Sequence, residues 1–218
     1  MRTGPAIAMG PVIAIDGPAA AGKGTLARRI AATLGLAYLD TGSLYRAVAR
    51  RVLDAGGDPN DAHVSETAAR ALRPGDLERS DLRGPQADAA AASVAAIPAV
   101  RAALVDFQRN FASERGAVLD GRDIGTVIFP QAAVKLYVTA SLAVRARRRW
   151  LELAANGLTA EPATVEAEML ARDTTDSPRM QPAADAVVLD TTALDAEAAF
   201  VSAMAIIRGQ LAHRGGPR

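Results

Sequence analysis

The stretch Gly17-Pro18-Ala19-Ala20-Ala21-Gly22-Lys23-Gly24-Thr25 decides the fold of this chain. An apolar run from Val12 to Ile15 precedes it, and an amphipathic run beginning at Leu26 follows it. Strand, glycine-rich loop, lysine and helix in this order predict a phosphate-binding loop, because its backbone N–H groups can point into an anion-binding nest. The helix N-terminus and the Lys23 ammonium add positive charge at the same place. An ordinary glycine-rich turn is the alternative, and the four features together argue against it.

The end of this loop departs from the strict phosphate-loop pattern. Gly24 follows the lysine, where Ser or Thr usually ligates magnesium, and Thr25 comes one position later. A lysine-glycine-threonine ending resembles that of nucleoside monophosphate kinases. The resemblance implies no direct ligation of a metal by the protein; Thr25, and Asp120 at the end of the third predicted strand, would contact nucleotide-bound Mg²⁺ through water.

Composition limits the classes of function. The 25 basic and 24 acidic side chains leave a net charge of +1, which does not indicate a nucleic-acid polymer as partner. The absence of cysteine excludes disulfides and thiolate metal sites and fits a reducing cytoplasm. No apolar run approaches the roughly 20 residues that span a bilayer, so we expect no membrane association. Residues 1–8, before Met9, are expected to form a disordered extension.

Five short apolar runs predict the strands of a parallel sheet, because both faces of each run are apolar. Helical patterns separate these runs, so the predicted fold class is α/β, a five-stranded parallel sheet flanked by helices. The predicted strands are Val12–Ile15, Leu36–Leu39, Ala117–Leu119, Val134–Val138 and Ala186–Leu189. The predicted helices are Lys23–Thr33, Ser43–Asp54, Val100–Phe111, Leu142–Ala155 and Leu194–Gln210.

Two segments interrupt the alternation of strands and helices. Residues 57–98 are predicted to be a short helical insertion, of the kind that carries substrate specificity. Residues 156–182 show little apolar periodicity around Arg172–Arg179 and are predicted to be an irregular, mobile lid. The sequence thus predicts one domain over 9–218, with a core formed by 9–56 and 99–218.

Polar and charged residues follow successive strands of the predicted sheet, where active residues of open parallel sheets collect. Asp40–Arg46 follows the second strand, Asp120–Thr126 the third, and an arginine-rich helix the fourth. Each has an ordinary structural explanation: a helix cap for Asp40, a solvated side chain for Arg46, a wet helix face for the arginines. Their placement around one phosphate loop favours a shared site.

Together these segments resemble the bacterial cytidylate kinase family, from about Gly10 to the C-terminal helix. The most specific motif is Leu119-Asp-Gly-Arg-Asp-Ile-Gly-Thr-Val-Ile-Phe-Pro130. The resemblance implies the fold of the phosphate-loop nucleoside monophosphate kinases, with a short monophosphate-binding insertion and a small lid. It also implies transfer of the γ-phosphoryl of ATP to CMP or dCMP with Mg²⁺, in the cytoplasm, and we expect a monomer.

The resemblance also implies roles for single residues. Gly17 to Thr25 would hold ATP, with Lys23 as a catalytic cation. Arg145 would converge on ATP with Arg149, or with Arg148, since these residues share a helix face. Arg172 and Asp176 would hold the ribose. Arg179 would be a second catalytic cation, reaching the phosphates as the lid closes.

On the acceptor side, Arg46 and Arg122 would hold the monophosphate, because guanidinium groups suit bidentate phosphate binding. The resemblance implies a catalytic role for Arg122 as well, and it places Thr41 and Tyr45 in the same substrate site. Asp123 and Arg101 align with the aspartate and arginine that read the cytosine edge in the family. Asp123 could instead pair with Arg122 or another arginine, and Arg101 could be a solvated helix residue.

Three features depart from the family pattern. Ala92 stands where the family has a serine that helps to read the base, and the insertion is shorter than in many relatives. Both features favour looser base discrimination. The linker after Arg179 is shortened to Met180-Gln181-Pro182, which bears on the alignment of Arg179.

Two other functions remain as alternatives at this point. A kinase for another small acceptor, such as UMP, AMP or shikimate, would lack the pairing of Asp123 and Arg101 on the base. A nucleotide-gated binding module would bind ATP without an acceptor, and would leave Arg46, Arg122 and the lid arginines without a role.

Overall fold

The computed structural model describes residues 10–112 and 115–214, so the predicted extension, residues 1–8, lies outside the described residues. The strands are β1 Val12–Asp16, β2 Ala37–Asp40, β3 Ala117–Gly121, β4 Val134–Thr139 and β5 Val187–Asp190. The helices are α1 Lys23–Leu34, α2 Thr41–Asp54, α3 Ala62–Arg70, α4 Pro85–Ala96, α5 Pro98–Phe111, α6 Leu142–Ala155, α7 Pro162–Asp176 and α8 Ala196–Arg214. The predicted α/β class is confirmed, with small shifts at the ends of the predicted elements.

The five strands form one sheet in the order β2-β3-β1-β4-β5. The β1–β3, β1–β4 and β4–β5 pairs are parallel. All five residues of β1 are buried, as expected for the central strand of a sheet covered on both faces. Asp16, the last residue of β1, lies opposite Gly121 and Tyr137, so the carboxyl ends of β1, β3 and β4 meet at one edge.

The chain divides into two compact units. The sheet unit comprises residues 10–39 and 115–214, and its core joins β1 and β4 to α1 and α8. In α1, Leu26 and Ile30 lie four residues apart on the buried face, which is the spacing of an amphipathic helix. The phosphate-binding loop is therefore held between two elements that are anchored in the same core.

The helical unit, residues 40–112, contains α2 to α5. Helix α2 packs on α4, and α3 packs on α5. The α2 residues Leu44, Val48 and Val52, which recur every four positions, are fully or almost fully buried. This unit is wider than the predicted insertion, 57–98, because α2 and α5 pack with the insertion's own helices.

Among the described residues, no single helix is long and apolar enough to span a membrane. The helices Gln86–Ala96 and Pro98–Phe111 reach the necessary length and composition only as a pair, and they meet at a bend of 97°.

The prediction of an irregular segment over 156–182 is wrong, because α7 covers Pro162–Asp176 and a short 3₁₀ helix covers Ser177–Arg179. Proline occupies the first turn of α7, where its missing N–H costs nothing. Only Val165 and Met169 of this helix are buried, in a small cluster with α6 residues. One narrow apolar stripe gives a weak periodic signal, so the polar residues around it concealed the helix.

Candidate active site

The phosphate-binding loop has the backbone geometry that its sequence predicts. Gly17, Ala20 and Gly22 adopt positive φ angles of +139°, +57° and +92°. A Cβ atom at Gly17 would overlap the carbonyl oxygen of Val138, so only glycine fits there. Ala20 is the one non-glycine residue with positive φ in the described part of the chain, an unfavourable conformation of the kind that clusters at ligand-binding sites.

Lys23 lies at the start of α1 and is buried, with 6% of its surface exposed. Its Nζ donates a hydrogen bond of 2.7 Å to the carbonyl oxygen of Pro18, within the same loop. Burial, followed by the positive charge of Arg122, lowers the pKa of Lys23 to about 7. A nearby phosphate would favour the charged form of this ammonium group.

Asp16 is a buried carboxylate that sequence reasoning missed, since the first strand was predicted to end at Ile15. Its Oδ1 accepts the backbone N–H of Ile124 at 2.8 Å, and its Oδ2 accepts that of Gly125, also at 2.8 Å. Burial raises the pKa of Asp16 to about 6, although the two amides act in the opposite direction. An acidic residue directly after an apolar central strand was the available signal.

Asp120 lies beside the start of α1, where the sequence predicted a water-mediated contact with magnesium. It is buried, and its Oδ1 accepts a hydrogen bond of 3.1 Å from the Tyr38 hydroxyl. A Cβ atom on Gly24 would stand 3.5 Å from Asp120 Oδ2, so the carboxylate reaches the loop immediately before the exposed Thr25. A carboxylate and a hydroxyl suit a hydrated Mg²⁺ ion, so this donor set fits the metal.

Arg122 pairs with a carboxylate of α7, that of Asp176. Its Nε donates to Asp176 Oδ2 at 3.0 Å, and its Nη1 donates to the carbonyl oxygen of Gly17 in the phosphate-binding loop, also at 3.0 Å. Arg179 donates to the other Asp176 oxygen at 2.7 Å, and Arg172 lies 3.9 Å from this carboxylate. Burial acts to raise the pKa of Asp176, but the three arginines, Arg122 foremost, hold it below its ordinary value. The structure thus brings together the predicted residues Arg122, Arg172, Asp176 and Arg179, here called the arginine cluster.

Asp123 directly precedes a single π-helical turn, Ile124–Ile128, which the sequence did not predict. The Asp123 carbonyl oxygen accepts the N–H groups of Val127 at 2.9 Å and Ile128 at 3.3 Å. Such turns are rare and are frequent at functional sites. Asp123 is buried, with 8% of its surface exposed.

The arginines of α6 divide into different roles. Buried Arg145 contacts the carbonyl oxygen of Ala19 in the loop at 3.4 Å and forms a bidentate pair with Asp173 of α7, with a shortest distance of 2.6 Å. Arg148 donates to Thr191 Oγ1 at 3.0 Å and has its Nη1 4.0 Å from the position of a Cβ on Gly22. Arg149 instead pairs with Glu152 on its own helix at 3.0 Å. The geometry therefore favours Arg148 over Arg149 as the second arginine beside the loop.

In the helical unit, the four predicted substrate residues lie on α2 and α5. Arg46 forms an ion pair with Asp40, at 2.6 Å, directly before α2. Arg101 donates to the Tyr45 hydroxyl at 3.1 Å and stacks over its ring at 5.7 Å, so it is not merely a solvated residue. Thr41, the first residue of α2, is buried.

A family model and two relatives match this chain over most of its length. The family model for cytidylate kinase matches residues 13–208. The chain is similar to a cytidylate kinase from Acidiphilium cryptum (60% identity over 92% of this chain and 97% of the relative) and to one from Granulibacter bethesdensis (59%, over 90% and 96%). A shikimate kinase from Acinetobacter baumannii in complex with shikimate superposes with a TM-score of 0.47 at 18% identity, over 95% of this chain and 96% of that one. Because the family model and the two similar cytidylate kinases cover nearly all of its length, the chain belongs to the cytidylate kinase family.

Proposed function

We propose that this chain transfers the γ-phosphoryl group of ATP to CMP or dCMP. An oxygen of the acceptor's phosphate attacks the γ-phosphorus, the bond to the oxygen bridging the β- and γ-phosphorus breaks, and ADP leaves with CDP or dCDP as the other product. The observation that carries the proposal is the strand–loop–helix element with its buried Lys23, in a chain whose family match covers residues 13–208.

Phosphoryl transfer needs positioned phosphates and neutralised charge more than it needs covalent help from the protein. Residues Gly17 to Thr25 hold the phosphates of ATP, and Lys23 supplies a charge at the migrating group. Lys23 suits this role because burial excludes the water that would weaken its field. Arg145 and Arg148 support the loop from the side of α6.

The arginine cluster neutralises charge at the transferred group. Arg122 already contacts the loop through the Gly17 carbonyl, so its guanidinium lies beside the proposed phosphate-binding backbone. In this structure, Asp176 provides the counter-charge for Arg122 and Arg179. Phosphate oxygens are alternative partners for both guanidinium groups, which leaves Asp176 available for the ribose hydroxyls that the family resemblance assigns to it.

Acceptor selection depends on matching the polar edge of the base. Cytosine carries an exocyclic amino group where uracil carries a carbonyl oxygen, so a carboxylate such as that of Asp123 distinguishes the two. We assign the base to Asp123 and Arg101, and the acceptor's phosphate to Arg46, Arg122 and Thr41, with Tyr45 holding Arg101.

Magnesium, oligomeric state and location complete the proposal. Mg²⁺ bound with ATP would be held through water by Thr25 and Asp120, and it would neutralise phosphate charge. We propose that the protein works as a monomer in the cytoplasm, with ATP and the cytidine monophosphates as its small-molecule partners. The absence of cysteine is in keeping with that compartment.

A coupled assay with ATP and a panel of acceptors tests the function: CMP, dCMP, UMP, AMP and shikimate. CMP or dCMP should give the highest kcat/KM, and Lys23→Ala should lower turnover by about 10²–10³-fold, near 2.7–4 kcal/mol, as for other losses of a transition-state partner. Preference for UMP, AMP or shikimate would replace the proposed acceptor. ATP binding without turnover of any acceptor would favour the binding module.

A further inference from the structure

The peptide bond between Asp123 and Ile124 is held at both of its ends. Its N–H donates to Asp16 Oδ1 at 2.8 Å, and its C=O accepts from Val127 at 2.9 Å and Ile128 at 3.3 Å. A peptide plane whose N–H and C=O are both hydrogen-bonded cannot rotate without breaking these bonds. Rotation of this plane would change ψ of Asp123 together with φ of Ile124. The backbone angles of Asp123, φ −141° and ψ 29°, lie away from helical and extended values and so need this support.

The two hydrogen bonds that Asp16 accepts join the phosphate-binding loop to the π-helical turn. Asp16 ends β1 immediately before Gly17, and its partners Ile124 and Gly125 open the turn. Gly125 permits the approach, because a Cβ atom there would stand 3.3 Å from Asp16 Oδ2 and 3.1 Å from Lys135 Cδ. Asp16 is 5% exposed, so water does not compete for its oxygens, and each lost hydrogen bond would leave a buried amide unsatisfied.

We propose that Asp16 is the positioning residue that sets the base discrimination of this enzyme, by fixing the peptide that aims Asp123 at the acceptor's base. The inference rests on the proposed function, and in particular on the assignment of cytosine to Asp123. Asp16 itself touches neither substrate in this assignment. Its effect is expected in the ratio of kcat/KM for CMP to that for UMP, because only the base-reading contact differs between these acceptors.

A second route from Asp16 to catalysis predicts a different result. The negative charge of Asp16 favours the charged form of Lys23, although burial and Arg122 act more strongly in the opposite direction. If Asp16 acted only through Lys23, its loss would lower turnover for every acceptor by the same factor and would leave the ratio unchanged. The ratio therefore separates positioning of Asp123 from support of Lys23.

Two substitutions disturb this contact from opposite sides. Asp16→Asn keeps the shape but places an NH₂ group against one backbone N–H, and Gly125→Ala keeps the Asp16 charge but pushes a methyl group into the contact. We expect each to lower the CMP-to-UMP ratio by about tenfold or more, since small misplacements of catalytic groups are costly. Asp123→Ala provides the reference for a complete loss of base reading.

Asp61→Ala is the matched control, because Asp61 Oδ1 also accepts two backbone N–H groups, those of His63 and Val64, but at the start of α3. It should lower thermal stability and leave the CMP-to-UMP ratio at the wild-type value. Equal losses for CMP and UMP in both Asp16→Asn and Gly125→Ala would overturn the positioning role while leaving the kinase function intact. Absence of CMP-dependent turnover in the wild type would instead remove the proposed function itself.

Discussion

Two buried side chains of opposite charge, Asp16 and Lys23, flank the phosphate-binding loop. Burial moves both pKa values toward neutrality, to about 6 for Asp16 and about 7 for Lys23. Both charges are incompletely solvated, because the surrounding atoms replace only part of the lost hydration. For Lys23, a phosphate bound beside it would stabilise the charged form that burial disfavours.

The lowered pKa of Lys23 predicts that the stability of the fold depends on pH. Below pH 7 Lys23 is protonated in both the folded and the unfolded chain. Between about 7 and its ordinary value of 10.5 only the unfolded chain keeps the proton. The unfolded state then binds more protons, so the free energy of unfolding rises with pH in this window, by up to about 1.4 kcal/mol per pH unit from this group.

Lys23→Met removes that contribution. Urea unfolding of both proteins at pH 6, 7, 8 and 9 should show the wild type gaining stability relative to the variant only above pH 7. A constant difference over all four pH values would mean that Lys23 keeps an ordinary pKa in the folded protein.

Single residues were predictable where their neighbours in sequence supply the signal. The glycines and lysine of residues 17–24 and the motif around Arg122 and Asp123 are local patterns, and the structure places them at one edge of the sheet. Asp16 was not predictable as a partner of Ile124, because the two lie 108 positions apart. Choosing between Arg148 and Arg149 likewise required Thr191 and Gly22, which are distant in sequence.

At the scale of elements, α7 is the main difference between prediction and structure. Its buried face consists of Val165 and Met169, packed with Ala146 of α6 and its neighbours. The bidentate Arg145–Asp173 pair adds a polar link between the same two helices. A helix with so small an apolar face is stabilised by tertiary contacts rather than by its own periodicity, so the sequence alone gave little indication of it.

The short 3₁₀ helix after α7 carries a prediction about Arg179. This arginine contacts Asp176, and in the proposed mechanism it turns to the transferring phosphate. Because that contact matters mainly in the transition state, Arg179→Ala should keep ATP affinity within a few-fold and lose most CMP-dependent turnover, without gaining ATP hydrolysis. Titration calorimetry and the coupled assay measure the two effects.

Arg70→Ala serves as the control for removal of an arginine, because Arg70 is exposed and pairs with Glu66 on its own helix. Arg70→Ala should change neither the affinity for ATP nor the CMP-dependent turnover. Normal turnover in Arg179→Ala together with a large loss in Arg172→Ala would show that the family role belongs to Arg172, and that the shortened linker 180–182 misled the alignment.

At the scale of the whole chain, the first described residues of the sheet unit, 10–12, are tightly packed. The carbonyl oxygen of Pro11 accepts the N–H of Ala117 at 3.2 Å, and that of Val12 accepts the N–H of Ala133 at 2.9 Å. A Cβ atom on Gly10 would overlap the backbone of Arg115, so these segments lie in direct contact. The first strand is thus anchored from residue 10 onward, which supports the prediction that residues 1–8 are dispensable.

Deleting residues 1–8, so that the chain starts at Met9, should leave the melting temperature and the turnover of CMP unchanged within error. A chain in which Ile13 directly follows the initiator methionine lacks Gly10 and the Pro11 carbonyl group that accepts from Ala117. This chain is the matched comparison and should melt at a markedly lower temperature. A large loss in the first variant would assign the N-terminal residues a role in the fold or the site.

The strand order has a consequence for folding of the chain during its synthesis on the ribosome. The helical unit is continuous in sequence, so a nascent chain can complete it as soon as residue 112 has emerged. Strand β1 leaves the exit tunnel early, yet its partners are residues 117–121 and 134–139, and α8 comes last. The apolar run Val12–Ile15 therefore has no sheet partner while the helical unit is synthesised, and its exposed apolar side chains favour binding by chaperones during that interval.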